Sequence, residues 1–330
     1  MRVVVAPDKF RGSATAQEVV AAACDAATLN GWDSTGVALA DGGEGMLVAL
    51  GGANRVSSIT GPNGETIDAA WRLSGRTAVI EMALASGLDI AGGKEGNDPM
   101  AASTFGTGEL LDQAVQRGAE RIIVGLGGSA TTDGGLGALQ AMHPVYRFKG
   151  VELVVACDVT TLFVDAASVF GPQKGASSAQ VAMLRRRLER LQDVYLDDYG
   201  VDVGSLPGAG AAGGLAGALA AVGATLVPGF ELIAEELDLA GAIEGADLVI
   251  TGEGLLDDQS FAGKVVGGVV DMAAEFGVSA MIVCGAAEVA APDGVTLVSL
   301  SETYGSDRSW NETLPCVTDA VSAELARRRP

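Results

Sequence analysis

Short apolar runs recur along the chain, and each is soon followed by glycine or an acidic residue. They cover residues 3–6, 37–40, 122–126, 153–156, 248–251, 281–284 and 295–300. Such runs are typical of strands buried on both faces of a parallel sheet. Stretches with helical periodicity lie between several of them, at residues 16–29, 108–117 and 264–276. This alternation predicts an α/β fold with helices covering parallel strands.

The first helix has a recognisable start signal. Thr15 or Ser13 can act as its N-cap, and Glu18 follows Thr15 by three residues, as in a capping box. Residues 9–14 are therefore expected to form the loop after the first strand.

Residues 55–82 carry a different pattern. The sequence GPNG at residues 61–64 is a turn signal, and the flanking segments alternate as in a β-hairpin. We therefore expect a second, less regular domain in the middle of the chain. A length of 330 residues fits this expectation, because about 150 residues per domain suggests two domains or one large one.

Composition and charge argue against nucleic acids and anionic membranes as partners. Asp and Glu number 42 against 21 Lys and Arg, which gives a net charge of −21. A field of this sign repels nucleic acid and anionic membranes, so neither is expected as a partner. Hydrophobic residues make up 48% of the chain, which excludes disorder, and 47 glycines predict glycine-rich turns.

Cysteine, histidine and targeting signals point to a cytoplasmic protein. The four cysteines are far apart without a CxxC motif, and His143 is the only histidine, so zinc sites and disulfide frameworks are poorly supported. The apolar run at the N-terminus is too short for a signal peptide. Residues 207–229 carry no charge before Phe230, but they are mostly Ala and Gly, which favours a buried helix over a membrane span.

Two clusters of candidate residues follow the first two predicted strands. After the first strand, Asp8 can accept a proton or face a metal, while Lys9 and Arg11 can neutralise an anion. After the second, Asp41 and Glu44 lie among three glycines, and two such hard oxygen ligands suit Mg²⁺. The structural alternatives are a capped, solvated loop for the first cluster and a favourable charge at a helix N-terminus for Glu44.

Two further clusters also lie at strand ends. Residues 125–135 combine glycines, hydroxyls and the start of a helix, which makes an anion site, although the loop lacks the ending of a Walker A motif. Glu253 and Asp257 are candidates for metal or proton chemistry, and Lys264 for contact with a phosphoryl group. Lys174, in a tight turn, is a lesser candidate. Each of these has a purely structural alternative.

Two motifs argue against other enzyme classes. The glycines at 208–213 satisfy GxGxxG, but no convincing strand precedes them, which argues against dinucleotide binding. With a single histidine and no GxSxG elbow, acyl transfer is disfavoured. Glycine-rich loops with Asp, Glu, Lys, Ser and Thr instead favour phosphoryl transfer, which mainly needs positioning and charge neutralisation. The residues thus predict a small-molecule kinase.

Seven motifs taken together resemble the bacterial glycerate kinase family (type I), which makes 2-phosphoglycerate. They are APDKFRGS at 6–13, ADGGEG at 40–45, GTGEL at 106–110, GGSATTDGG at 127–135, FGPQKGA at 170–176, PGAGAAGG at 207–214 and ITGEG at 250–254. The resemblance implies ATP, Mg²⁺ and D-glycerate. It also implies a flavodoxin-like parallel-sheet domain built from both chain ends, at 1–60 and 240–330, around an inserted mixed α/β domain at 61–239.

The chain departs from the family pattern at a few places. The segment at 143–150 is shorter than in relatives, Leu255 follows GEG, and Val265-Val266 stand where Ala-Pro is usual. These departures bear more on substrate identity than on fold. A kinase of another small hydroxy acid, or a noncatalytic ligand-binding relative, therefore stays an alternative, and the sequence does not distinguish monomer from homodimer.

The resemblance and the clusters together give a hypothesis for the site. The catalytic residues are Asp8 or Asp257 as the base and Lys264, with Asp41 or Glu44 on the metal. Glycerate is expected to contact Lys9, Arg11, Ser13, Ser129 and Lys174. The nucleotide is expected to contact Gly127, Gly128, Thr131, Asp133, Gly252 and Glu253.

Overall fold

A computed structural model describes residues 1–328. Its strands, in chain order, are β1 (Arg2–Val5), β2 (Asp33–Gly36), β3 (Arg55–Thr60), β4 (Thr66–Ser74), β5 (Thr77–Glu81), β6 (Arg121–Gly125), β7 (Glu152–Ala156), β8 (Thr225–Val227), β9 (Leu248–Leu256), β10 (Ser279–Ala287) and β11 (Thr296–Ser299).

The α-helices are α1 (Ala16–Leu29), α2 (Met46–Ala49), α3 (Ala83–Ser86), α4 (Gly93–Gly96), α5 (Phe105–Gln116), α6 (Leu136–Ala141), α7 (Ala166–Phe170), α8 (Ser178–Tyr199), α9 (Ala211–Ala221), α10 (Gly229–Glu236), α11 (Leu239–Ile243), α12 (Val265–Glu275), α13 (Leu300–Tyr304), α14 (Ser306–Asn311) and α15 (Thr313–Arg327). Short 3₁₀ helices cover Val145–Phe148, Pro172–Lys174 and Asp258–Phe261.

The chain divides into two compact units. The first combines Met1–Asp41 with Phe230–Pro330, and the second is Gly42–Gly229. The family resemblance implied boundaries after residue 60 and after residue 239. Residues 55–60 lie in the second unit because β3 pairs with β4 along its whole length.

The first unit is built on a five-stranded parallel sheet with the order β11-β10-β9-β1-β2. Counted within this unit, the order is 2-1-3-4-5, which is the flavodoxin-like arrangement. The strands β1, β9 and β10 are buried along most of their length. Helices α1 and α15 pack against each other beside the sheet, and α12 packs on β9 and β10. The predicted α/β class and flavodoxin-like domain are confirmed.

The helix α1 begins and ends where the sequence predicts. Thr15 is its N-cap, and Glu18 completes the reciprocal capping box. The prediction for the second strand was wrong, because residues 37–40 are not a strand and β2 covers Asp33–Gly36 instead. This strand is a mostly exposed edge of the sheet, so it lacks the apolar run that marks a buried strand. The chain then continues beside β1, where Val37 N–H donates to the Val5 carbonyl.

The second unit contains a mixed six-stranded sheet with the order β3-β4-β5-β6-β7-β8. The predicted hairpin at residues 55–82 is confirmed, because β3 and β4 pair antiparallel on either side of the turn at 61–64, and β5 pairs antiparallel with β4. The strands β5 to β8 are parallel. This unit is therefore the mixed α/β domain that the pattern predicts between the two halves of the first.

The GxGxxG segment forms the start of a buried helix. Ala212, Gly213 and Gly214 adopt left-handed backbone conformations at the beginning of α9. At Gly213 a Cβ would lie 2.0 Å from the Thr131 carbonyl oxygen, and Gly134 N–H donates to the Gly213 carbonyl. The glycines thus let two loops pack against each other. Within residues 1–328, no helix has the length and apolar character needed to cross a membrane.

Candidate active site

A cavity of about 800 Å³ opens in the first unit, at the carboxyl ends of its parallel strands. It lies by β1 and β9, the neighbouring strands at which the strand order reverses direction. Open α/β sheets bind ligands at this switch point. The cavity brings together many of the residues that the sequence singled out: Asp8, Lys9, Arg11, Ser13, Asp41, Glu253, Asp257 and Lys264.

Asp8 lies just after β1 and is largely withdrawn from water. Its backbone N–H donates to the Gly252 carbonyl (2.9 Å), and its Oδ1 accepts from Lys9 N–H (2.7 Å). The pKa of Asp8 is raised to about 6, mainly because the carboxyl is withdrawn from water. The nearby charge of Asp41 contributes to the rise, while the Lys9 N–H bond and the charges of Lys9 and Lys264 oppose it. This carboxyl therefore titrates close to neutral pH.

Glu253 is the second half-buried carboxyl of the cavity. It belongs to β9, and within the described part of the chain its Oε1 is buried without a hydrogen-bond partner. Burial raises the pKa of Glu253, the charges of Asp8 and Asp257 add to the rise, and Ser260 and Lys264 oppose it. A buried oxygen without a donor can accept from a ligand or bind a cation.

The structure explains why position 252, just before Glu253, is a glycine. A Cβ at Gly252 would lie 1.8 Å from the Val283 carbonyl oxygen on β10, so no side chain fits there. Gly252 therefore holds β9 and β10 close together and accepts the hydrogen bond from Asp8 N–H.

Asp257 and Lys264 surround the 3₁₀ turn after β9. The Asp257 Oδ1 accepts from the backbone N–H groups of Gln259 (2.8 Å) and Ser260 (3.2 Å), so this carboxylate caps the turn. Lys264 precedes α12, and its Nζ donates to Gln259 Oε1 at 3.3 Å. One oxygen of Asp257 is thus engaged in local structure, whereas the Lys264 ammonium lies at the edge of the cavity.

Four lining residues come from a segment that the motifs did not indicate. They are Ser301, Ser306, Ser309 and Trp310, in α13 and α14. The one available signal was their place after the last parallel strand, β11, whose carboxyl end faces the same edge of the sheet.

The second unit holds the other candidates. Its loop after β6 is organised by Asp133, whose Oδ2 accepts from Thr104 N–H (2.8 Å), Thr104 Oγ1 (2.8 Å) and Gly137 N–H (3.2 Å), while Oδ1 accepts from Gly135 N–H (3.0 Å). Asp133 is itself the anion at the start of α6. The sequence predicts an anion site in this loop, with Asp133 among the residues expected to contact the nucleotide.

Lys174 is buried beneath the same loop. It is 2% exposed, and its Nζ donates to the Thr131 carbonyl at 2.6 Å. Burial lowers the pKa of Lys174 to about 7, and the charge of Asp133 opposes this shift. Asn97 Nδ2 donates to the carbonyls of Ala130 (3.0 Å) and Lys174 (2.9 Å), which ties the two segments together.

The remaining candidates of the second unit lie nearer its surface. Gly128 and Glu44 are exposed, and Ser129 forms an isolated bridge with Gly87. Gly127 packs against the backbone of Gly43 and Glu44. The two predicted metal ligands thus fall in different units, because Asp41 lines the cavity of the first and Glu44 belongs to the second.

The cavity carboxylates suit a phosphate-bound Mg²⁺. Among residues 1–328 no group of three or more His, Cys, Asp or Glu could hold a metal ion by itself. In phosphoryl-transfer sites, however, Mg²⁺ takes only one or two carboxylates and completes its coordination with water and substrate phosphates. Asp41 and the unpartnered Oε1 of Glu253 offer such a donor set.

Comparison with known proteins gives consistent matches. Residues 3–144 and 142–303 match the glycerate kinase family. The chain is 40% identical over 316 residues to the glycerate 2-kinase of Escherichia coli K12, covering 84% of this chain and 83% of that protein. It is 39% identical over 323 residues to the glycerate kinase of Halalkalibacterium halodurans, covering 86% and 85%. A crystal structure described as that of a glycerate kinase 2 from Salmonella typhimurium LT2 matches with a TM-score of 0.84 at 34% identity and covers 100% of both chains.

Proposed function

Because the chain belongs to the glycerate kinase family, we propose that it transfers the γ-phosphoryl group of ATP to the 2-hydroxyl group of D-glycerate. The products are 2-phosphoglycerate and ADP. The observation that carries this proposal is the cavity of the first unit, where half-buried carboxylates and three cationic side chains surround one space large enough for small substrates.

Asp8 is the proposed base. A carboxylate accepts a proton best when its pKa lies near the working pH, and burial raises the pKa of Asp8 to about 6. Asp257 is the weaker candidate because its Oδ1 already caps the turn after β9. Asp8 would take the 2-hydroxyl proton as the oxygen attacks the γ-phosphorus and the bond to the β-phosphate oxygen breaks.

The cationic residues have complementary roles in this proposal. Lys9 and Arg11 pair with the glycerate carboxylate, and Ser13 adds a hydroxyl from the same loop. Lys264 meets the transferred phosphoryl oxygens, whose charge must be neutralised during transfer. These cations also offset the repulsion that a net charge of −21 exerts on anionic substrates.

We propose that Mg²⁺ binds beside these residues. Asp41 and Glu253 would hold it, and Asp41 is favoured over Glu44 because it lines the cavity. Bound there with ATP, the ion would supply positive charge that offsets the charge of the phosphates. In the second unit, Thr131, Asp133 and Lys174 support the loop at residues 127–135 from within.

The test is Mg²⁺-dependent release of ADP from ATP in the presence of D-glycerate, with L-glycerate and other small hydroxy acids as parallel acceptors. Phosphorus NMR identifies the product. Formation of 2-phosphoglycerate supports the proposal, and 3-phosphoglycerate would move the acceptor to the other hydroxyl. Turnover confined to another hydroxy acid would favour the first alternative. Binding of ATP or glycerate without turnover would favour a noncatalytic relative.

A further inference from the structure

Trp310 is the exposed tryptophan of the chain. Of the three tryptophans, Trp32 and Trp71 are buried at 4% and 0% exposure, whereas Trp310 is 59% exposed. It lies in α14 and lines the cavity of the first unit. An exposed indole face beside a polar cavity is available for stacking with a planar group of a ligand.

The position of the ring is set by the loop after β1. A Cβ at Gly12 would lie 3.0 Å from Cη2 and 3.2 Å from Cζ2 of Trp310, so the indole lies against this glycine. Gly12 follows Asp8 by four residues, and four residues of extended chain span at most about 14 Å. The indole ring of Trp310 and the carboxyl group of Asp8 are thus close enough for one extended nucleoside triphosphate to reach both.

We propose that Trp310 stacks on the base of the nucleotide substrate. This inference rests on the proposed function and adds a base-binding position to it. Aromatic side chains stack on nucleobases of any kind, since every base has a π-face. Ser306 and Ser309 accompany the ring along the lining, and Lys264, the residue proposed to meet the phosphoryl oxygens, lines the same cavity. Trp310 lies beyond residue 303, where the match to the family model ends.

The first experiment uses the unmodified protein and its tryptophan fluorescence. ATP, ADP and adenosine should quench the emission of Trp310, whereas inorganic tripolyphosphate and D-glycerate should leave it nearly unchanged. The Trp310→Phe variant should lose the quenching, because Trp32 and Trp71 are buried. Equal quenching by tripolyphosphate and ATP would overturn the assignment, since phosphate binding alone would then account for the signal.

The second experiment measures affinity by calorimetry. Trp310→Ala should raise the dissociation constant for ATP about tenfold or more, and Trp310→Phe should restore most of the affinity. Binding of tripolyphosphate should be unchanged in both variants. A role confined to supporting the loop at Gly12 would instead weaken tripolyphosphate binding as well. Phe276→Ala is the matched control, because Phe276 is 43% exposed in the same unit and does not line the cavity.

The outcomes separate this inference from the proposed function. If the wild type phosphorylates D-glycerate and Trp310→Ala binds ATP as tightly as the wild type, the stacking role is wrong and the proposed function stands. If adenosine quenches Trp310 but no ADP is released with D-glycerate, the stacking role stands and the proposed function fails.

Discussion

Asp8 and Asp133 occupy similar places in the sequence and very different places in the structure. Each follows a buried strand and lies close to glycines. Asp133 is surrounded by four donor contacts, from Thr104, Gly135 and Gly137. Asp8 accepts a hydrogen bond from Lys9 N–H. Its carboxyl group is largely withdrawn from water and lies near the charge of Asp41. A buried carboxylate that is saturated with donors organises the fold, whereas one with few donors can exchange a proton.

The largest expected effect is on catalysis at Asp8. Asp8→Asn should lower kcat by roughly 10²–10⁴-fold, the usual contribution of a general base. The measurement is steady-state ADP release with D-glycerate, with circular dichroism to confirm folding. Asp257→Asn is the matched control and should keep most of its activity, because Asn caps a helical turn as well as Asp does.

The pH dependence gives an independent view of the same residue. In the wild type, kcat/KM should fall as the pH drops below about 6, because Asp8 then carries a proton. The residual activity of Asp8→Asn should lack this limb. Near-normal turnover of Asp8→Asn would exclude Asp8 as the base.

The next effect concerns stability at Asp133. Asp133→Ala should lower the free energy of unfolding by about 2–4 kcal/mol, because the buried N–H groups of Thr104, Gly135 and Gly137 lose a charged acceptor. Urea denaturation measures the change. A decrease in the free energy of unfolding of less than about 0.5 kcal/mol, as for a surface substitution, would show that water or other groups satisfy these donors.

A smaller effect should appear in the way the protein's free energy of unfolding depends on the ionisation of Asp8. Its pKa is 3.8 for an ordinary Asp and about 6 in the fold, so the folded state binds more protons between these values. The wild-type free energy of unfolding should therefore decrease as the pH rises from about 4 through 6. Asp8→Asn should be more stable than the wild type at pH 7, by on the order of 2 kcal/mol, and this gain should vanish near pH 4. A gain that is independent of pH would contradict this account.

The smallest effect is expected at Lys174. Lys174→Met should destabilise the protein by about 1 kcal/mol at neutral pH, because the Thr131 carbonyl loses its donor. Burial lowers the pKa of Lys174 from 10.5 to about 7, so the unfolded chain binds more protons between these values. The wild type should gain stability relative to Lys174→Met as the pH rises above 7. Urea titrations of both proteins at pH 7 and pH 9 measure this, and parallel pH dependences would contradict it.

Local signals predicted the fold well. Thr15 and Glu18 define the start of α1 within four residues of sequence, and the turn at 61–64 defines the hairpin. The exposed strand β2 was missed because a strand on a sheet edge needs no continuous apolar run.

The site was harder to predict because its roles depend on distant partners. Asp133 is distinguished from Asp8 by donors from Thr104, which lies 29 residues away in sequence. Trp310 reaches the cavity only because α14 lies against the loop at Gly12, almost 300 residues earlier in the chain. No short motif records either relationship.

The pairing of β1 with β9 also sets an order of assembly. Val3 lies opposite Leu248, so the centre of the first sheet joins segments separated by most of the chain, and such non-local pairing forms slowly. The second unit is continuous from Gly42 to Gly229 and can fold while the chain is still being synthesised. Asp8 is made among the first residues, yet Glu253 is translated some 245 residues later. A nascent chain thus lacks the complete lining of this cavity until synthesis is well advanced.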